Sequence, residues 1–179
     1  MSELHADALA VLESWGAPSP AQESLRTSYV EHLRAHSDGL FRPCYPDHLT
    51  ASALVLSADR SRVLLTLHRK ARQWFQLGGH LESGDVTLSG AALREATEES
   101  GVGTLLADPV PVHLDRHAVS FCDPRGGVRH LDVRFVMTAP DCVDHAVSDE
   151  SLDLRWWPVH DLPTDEPSLH ELVELALAR

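Results

Sequence analysis

Three glutamates within one short segment constrain this chain more than any other feature. Leu88 to Ser100 (LSGAALREATEES) reads as a helix, and Glu95, Glu98 and Glu99 fall at i, i+3 and i+4, so their carboxylates project from one side. Like charges at that spacing destabilise an isolated helix by roughly 0.2–0.5 kcal/mol per pair. A hard divalent cation reverses that cost, because Mg²⁺ and Mn²⁺ prefer oxygen ligands and keep waters and phosphate oxygens in their shells. The opposite face, Leu88, Ala92, Leu93 and Ala96, is small and apolar and can lie on a sheet. Arg94 precedes Glu98 by four residues and offsets part of the acidity. Gly78 and Gly79 permit a tight backbone before the helix, able to turn a carbonyl toward a metal or amides toward phosphate. A bare E-x-x-E-E also describes an ordinary solvated face. The ordered set of Gly-Gly, Arg-Glu, Glu-Glu and Gly101-Val102 points instead to a metal.

Around this helix the chain is α/β. Leu4, Ala8, Val11, Leu12 and Trp15 recur at helical spacing. A break at Gly16 to Pro20 follows, and Ser19 with Pro20 starts a second helix bearing Leu25, Tyr29, Leu33 and His36. Phe41 to Pro46 is a linker. Leu49 to Ser57 and Arg62 to His68 form a strand pair, Trp74 to Leu77 is a short apolar run, and Gly101 ends the acidic helix. Val110 to Phe121 and Val128 to Thr138 are strands around the turn DPRGG, Leu154 to Pro158 is a short strand, and Ser168 to Ala178 is a closing helix. The order predicts an α/β/α sandwich with a mixed β-sheet. Residues 1–40 are set apart as an N-terminal helical extension, a cap or a dimer contact, and 41–179 as the main domain.

Composition narrows the partners. With 15 basic and 27 acidic residues the formal charge is −12, which repels nucleic-acid backbones and anionic lipid. A small phosphorylated substrate remains compatible, because a metal and a few local cations reverse the field inside one pocket. Cys44, Cys122 and Cys142 are dispersed, with no C-x-x-C, so neither a disulfide framework nor a zinc knuckle is expected. The N-terminus lacks the basic start and apolar run of a signal peptide, and a cytoplasmic protein is expected.

The stretch GGHLESGDVTLSGAALREATEESGV resembles the Nudix box, G-x5-E-x7-R-E-U-x-E-E-x-G-U, where U is aliphatic. Gly79 matches the first glycine, and Arg94, Glu95, Ala96, Glu98, Glu99, Gly101 and Val102 match the second half. Two departures stand in the first half: Asp85 replaces a glutamate, and eight residues rather than seven separate it from Arg94. The resemblance implies a Nudix-type fold and a metal-dependent hydrolase cleaving a diphosphate linkage in a nucleoside diphosphate linked to X. It implies Glu95, Glu98, Glu99 and the Gly79 carbonyl as ligands of Mg²⁺ or Mn²⁺, with Glu98 and Glu99 in the chemistry. Asp85 and Arg94 become a structural pair. Family members often draw a further base from a loop before a tryptophan strand, which selects Glu150, with Asp149 beside it.

Other residues are candidates for the substrate. Arg69 and Lys70 belong to a basic cluster just before Gly78; His80 lies inside the box. His130, Asp132 and Arg134 alternate on one strand face that can line a cleft. Trp74 and Phe75 are expected in the core, and most of the 12 histidines as dispersed polar residues. Two alternatives stay open: an isopentenyl-diphosphate-isomerase-like enzyme, for which none of the cysteines has a matching context, and a non-catalytic nucleotide-binding module.

Overall fold

The computed structural model of the chain describes residues 2–140 and 151–179. Two helices come first, α1 (Glu3–Ser14) and α2 (Pro20–Ala35). Ser2 and Ser19 cap them, each hydroxyl accepting from a backbone amide three residues on, and Pro20 occupies the first turn of α2. Strands β1 (Asp47–Leu56), β2 (Arg62–His68), β3 (Trp74–Phe75) and β4 (Leu77–His80) precede the acidic helix α3 (Leu88–Ser100). Strands β5 (Leu106–Ala107), β6 (His113–Ala118), β7 (Arg129–Thr138) and β8 (Ser151–Pro158) follow, and α4 (Pro167–Leu177) comes last.

One mixed sheet of eight strands forms among the described residues. β1 is its axis. It pairs antiparallel with β2 and β4, and parallel with β7 over the full run from Asp47↔Arg129 to Leu56↔Thr138. β3 and β8 flank β2, whereas β5 and β6 flank β7.

Strand alternation divides the side chains between two layers. Leu49, Ala51, Ala53 and Val55 of β1, with Leu131, Val133, Phe135 and Met137 of β7, pack under α1, α2 and α3. The other face carries Leu54, Leu56 and Val136, covered by Leu169, Leu172, Val173 and Ala176 of α4. Along this second face the residues toward the start of β1 and β7 are polar: His48, Thr50, Ser52, His130, Asp132 and Arg134. α4 covers the apolar half, and the polar half becomes the floor of a cleft.

The N-terminal helices are bonded into this layer as well as packed on it. The Gln22 amide donates to the Leu114 carbonyl (3.0 Å) and accepts from the Leu114 amide (2.7 Å), serving β6 on its outer edge as a further strand would. Tyr29 Oη donates to the Asp115 carbonyl at 2.7 Å, and the first amide of α3, at Leu88, donates to Asp7 of α1 at 2.8 Å.

The sequence-based elements shift in detail. The apolar run at 74–77 divides into β3 and β4 around Gln76, and the strand expected over Val110 to Phe121 contracts to His113–Ala118. A further short strand, β5, has two exposed residues that pair with Thr138 and Met137. No helix among the described residues is long and apolar enough to cross a membrane.

Candidate active site

Helix α3 starts at Thr87, whose hydroxyl accepts from the Gly90 amide at 3.0 Å, and ends at Gly101 in the left-handed conformation (φ 71°). Leu88, Ala91, Ala92 and Ala96 bury its apolar face. The three glutamates then take different surroundings. Glu98 is exposed. Glu95 is largely covered and lies against the glycine turn. Glu99 is buried and accepts from the Gly78 amide at 3.0 Å.

Arg94 is the hub between the helix and the preceding loop. Its Nε and Nη2 donate to the two oxygens of Asp85, each at 3.0 Å, a bidentate pair. Its Nη1 donates to Glu95 at 3.0 Å and Glu98 at 3.1 Å, and Nη2 also donates to the His80 carbonyl at 3.0 Å. The shorter acid and the extra residue of the 79–94 segment are therefore compatible with full pairing. Asp85 Oδ2 also accepts from the Glu82 amide at 2.8 Å, which closes the loop on itself. Burial raises the Asp85 carboxyl, but the Arg94 bond and the Glu82 amide prevail and hold it below its ordinary value.

Two adjacent glycines meet different obstacles. A Cβ on Gly79 would lie 2.6 Å from Glu95 Oε2, so this position leaves the carboxylate its place. At Gly78 (φ 148°) a Cβ would lie 2.5 Å from Ser52 Cα, against fixed backbone. Neighbouring residues of β4 thus serve opposite faces. Gly79, opposite Ala51, faces α3, whereas Gly78 and His80, opposite Ser52 and Thr50, face the cleft.

The cleft has a volume of about 450 Å³, and Gly78, Gly79 and Glu99 line it together with the polar sheet floor. On that floor Asp132 is buried and accepts from Thr50 (2.9 Å), Ser52 (2.7 Å) and Arg134 (2.8 Å). Arg134 also donates to Asp115 at 3.0 Å and to the Ser168 hydroxyl at 2.9 Å. Its guanidinium lines the cleft but is engaged by internal acceptors. Burial raises the Asp115 carboxyl, yet the His117 bond and the Arg134 charge bring it down to about 2. Lys70 lines the cleft with its ammonium 5.7 Å from the Phe121 ring centroid, and Arg69 donates to the Ser151 carbonyl at 3.2 Å. Phe75 lines the cleft, whereas Trp74 packs edge-on against Trp157 in the α4 layer. Glu150 and Asp149 lie outside the described residues.

His80, Cys122 and His130 of the cleft lining converge with the buried His48 behind them, a group that no spacing in the sequence brings together. Burial, with the neighbouring His48 and the Arg42 charge, lowers His80 to about 4. Burial and the adjacent His80, His117 and His48 lower His130 to about 3. The available sequence signal for this floor was the polar alternation His48, Thr50, Ser52 at the start of an otherwise apolar strand.

A family model described as NUDIX domain matches residues 46–176. A search of curated proteins found no significant match. Solved structures of similar fold include a Caenorhabditis elegans Ap4A hydrolase binary complex (17% identity, 73% of this chain and 95% of that one, TM-score 0.63). An Escherichia coli dihydroneopterin triphosphate pyrophosphohydrolase is similar over 73% of this chain and 96% of its own, at 18% identity and TM-score 0.59. The NUDIX domain of Shewanella oneidensis NrtR, complexed with ADP ribose, is similar over 73% and 86%, at 23% identity and TM-score 0.52. The extent of the family match, joined to the Arg94-centred helix and its glycine turn, identifies the chain as a member of the NUDIX hydrolase family.

Proposed function

We propose that this NUDIX hydrolase cleaves a diphosphate linkage in a nucleotide, dinucleotide or nucleotide sugar, in a reaction that depends on Mg²⁺ or Mn²⁺. One observation carries the reading: the acidic helix and its glycine turn open directly onto the cleft, through Gly78, Gly79 and Glu99. The donor set suits a hard cation in its chemistry, since Glu95, Glu98 and Glu99 supply carboxylate oxygens, Glu95 lying against Gly79 and Glu99 on the Gly78 amide. When bound, such an ion neutralises diphosphate charge and lowers the pKa of water. Arg94 orients Glu95 and Glu98, and the Gly78 amide orients Glu99. Lys70 brings positive charge to the cleft, and Phe75 and Phe121 line it with aromatic surface against which a base can pack. Ap4A, dihydroneopterin triphosphate and ADP ribose, named with the similar structures, all contain a phosphoanhydride, which supports the bond class. Residues 1–40 are read as scaffold for this domain, because α1 and α2 support the sheet beneath the cleft.

The test is hydrolysis across a panel of nucleotides, dinucleotides and nucleotide sugars with Mg²⁺ or Mn²⁺, with products identified. Release of phosphate, pyrophosphate or a nucleoside monophosphate is expected from at least one compound, and Glu98→Gln or Glu99→Gln should nearly abolish it. Full activity in both variants overturns the carboxylate assignment. Tight nucleotide binding without turnover over a wide metal and pH range would overturn the hydrolase reading.

A further inference from the structure

The cluster of His48, His80, Cys122 and His130 is not absorbed by diphosphate chemistry. Each residue comes from a different place: β1, β4, the β6–β7 loop and β7. The three histidine Nε2 atoms lie 3.9, 3.5 and 3.4 Å from the single Cys122 Sγ. The rings stand 5.2, 4.9 and 5.0 Å apart between centroids, and the four ligand atoms lie within 4.8 Å of one another. In a tetrahedral zinc site, with Zn–S of about 2.3 Å and Zn–N of about 2.0–2.1 Å, sulfur and nitrogen ligands stand roughly 3.5 Å apart. The three measured separations scatter around that value by a few tenths of an ångström.

Hydrogen bonding alone accounts poorly for the arrangement. One thiol has one proton and is a weak donor and acceptor, yet three imidazoles turn the same nitrogen toward it. His48 is 1% exposed and Cys122 5%, so the polar atoms are gathered where burial is costly unless they are satisfied.

The frame is set by other bonds. His48 and His130 are direct partners in the β1–β7 ladder, and His80 is opposite Thr50 on the same sheet face. The Cys122 loop is fixed by the Cys122 amide on the Val119 carbonyl (3.3 Å), the Val119 amide on the Val128 carbonyl (2.9 Å), and Arg42 donating to the Cys122 carbonyl. Val119, Cys122 and Val128 make a small apolar cluster behind the thiol.

We propose that the chain holds one Zn²⁺ through His48, His80, Cys122 and His130. Four protein ligands close the tetrahedron, which makes the site structural and leaves no open position for water. Imidazole and thiolate select a borderline-soft ion, in contrast to the oxygen donors of α3, so the two sites sort different metals. Binding releases the Cys122 proton to solvent, and affinity weakens as pH falls. The ion ties four segments together at the cleft wall. Through His80, whose carbonyl accepts from Arg94, it also steadies the strand that presents Gly79 to Glu95.

The experiment is Co²⁺ titration of the full chain after chelation and dialysis, with Zn²⁺ as competitor. Saturation at one equivalent is expected, with tetrahedral d–d bands and a near-ultraviolet thiolate-to-cobalt charge-transfer band, both bleached by Zn²⁺. Cys122→Ser should lose the charge-transfer band, and His130→Ala should lose or strongly weaken the tetrahedral spectrum. Glu98→Gln should retain both, which separates this site from the acidic helix. Zn²⁺ should raise the Tm of the wild type but not of Cys122→Ser. Absence of the charge-transfer band in folded wild type overturns the site whether or not the variants fold. Its persistence in Cys122→Ser, or its loss in Glu98→Gln, overturns the ligand assignment.

Discussion

In Gly79→Ala the new methyl would sit 2.6 Å from Glu95 Oε2 and 2.7 Å from its Cδ. Gly79 does not use the left-handed region, so alanine can adopt its backbone. The carboxylate is the flexible end of a side chain and must yield, by about 0.8 Å to reach ordinary contact at 3.4 Å. A displaced rotamer costs about 0.5–1.5 kcal/mol. The Arg94–Glu95 bond weakens, while Arg94 keeps Asp85, Glu98 and the His80 carbonyl. The stiffer unfolded chain returns about 0.4–1 kcal/mol. With roughly 0.5–1 kcal/mol added for the weakened Arg94–Glu95 bond, the net destabilisation is about 1 kcal/mol, or a Tm lower by roughly 2–4 °C. Chemistry is less tolerant, since a misplacement near 1 Å costs on the order of 10²-fold in rate. Thermal melts combined with kcat across a Mg²⁺ titration would separate the two effects. A variant with wild-type kcat and Mg²⁺ dependence refutes the placement of Glu95 at the reacting centre, and an unfolded variant refutes the steric argument.

Gly78→Ala provides the contrast: its methyl meets Ser52 backbone and needs a left-handed φ, so a far larger loss of Tm is expected in the same melts. Asp85→Ala removes both oxygens of the Arg94 pair and should cost about 2 kcal/mol, read as a lower urea midpoint at unchanged m. Gln22→Leu leaves the Leu114 amide and carbonyl without their side-chain partner and should cost about 2–3 kcal/mol in the same assay. Asp115, held at about 2 against an ordinary 3.8, contributes stability that is present above pH 3.8 and lost as pH falls through 2. The loss is on the order of 2 kcal/mol. Urea midpoints in Asp115→Asn should therefore vary less across that window than in wild type.

Local pattern was legible where it mattered for α3. The bounds Leu88–Ser100 and the terminal Gly101 follow from periodicity and helix-end chemistry, and so does the apolar face. The distinct surroundings of its glutamates did not follow, because they depend on where β4 lies. Glu99 is claimed by Gly78, a contact set by sheet pairing. The alternation of His130, Asp132 and Arg134 marks one face of β7, and all three line the cleft. Arg134's engagement with Asp115 and Ser168 needed β6 and α4 to be in place. The His–Cys cluster was illegible for the same reason: no spacing within one segment announces it, and only strand order brings its members together.

The parallel ladder between β1 and β7 has a kinetic consequence. It joins partners such as Thr50 and Asp132, 82 residues apart in the chain, and no hairpin can start it. Loop-closure entropy is spent before those contacts return anything, so this pairing belongs to the slow part of folding. His48 and His130 face each other on that same ladder, and the cleft floor spans it. The two sites therefore come into being in one late event. Ligands that engage either site should act chiefly by delaying the opening of the finished sheet, lengthening the lifetime of the native molecule more than hastening its arrival.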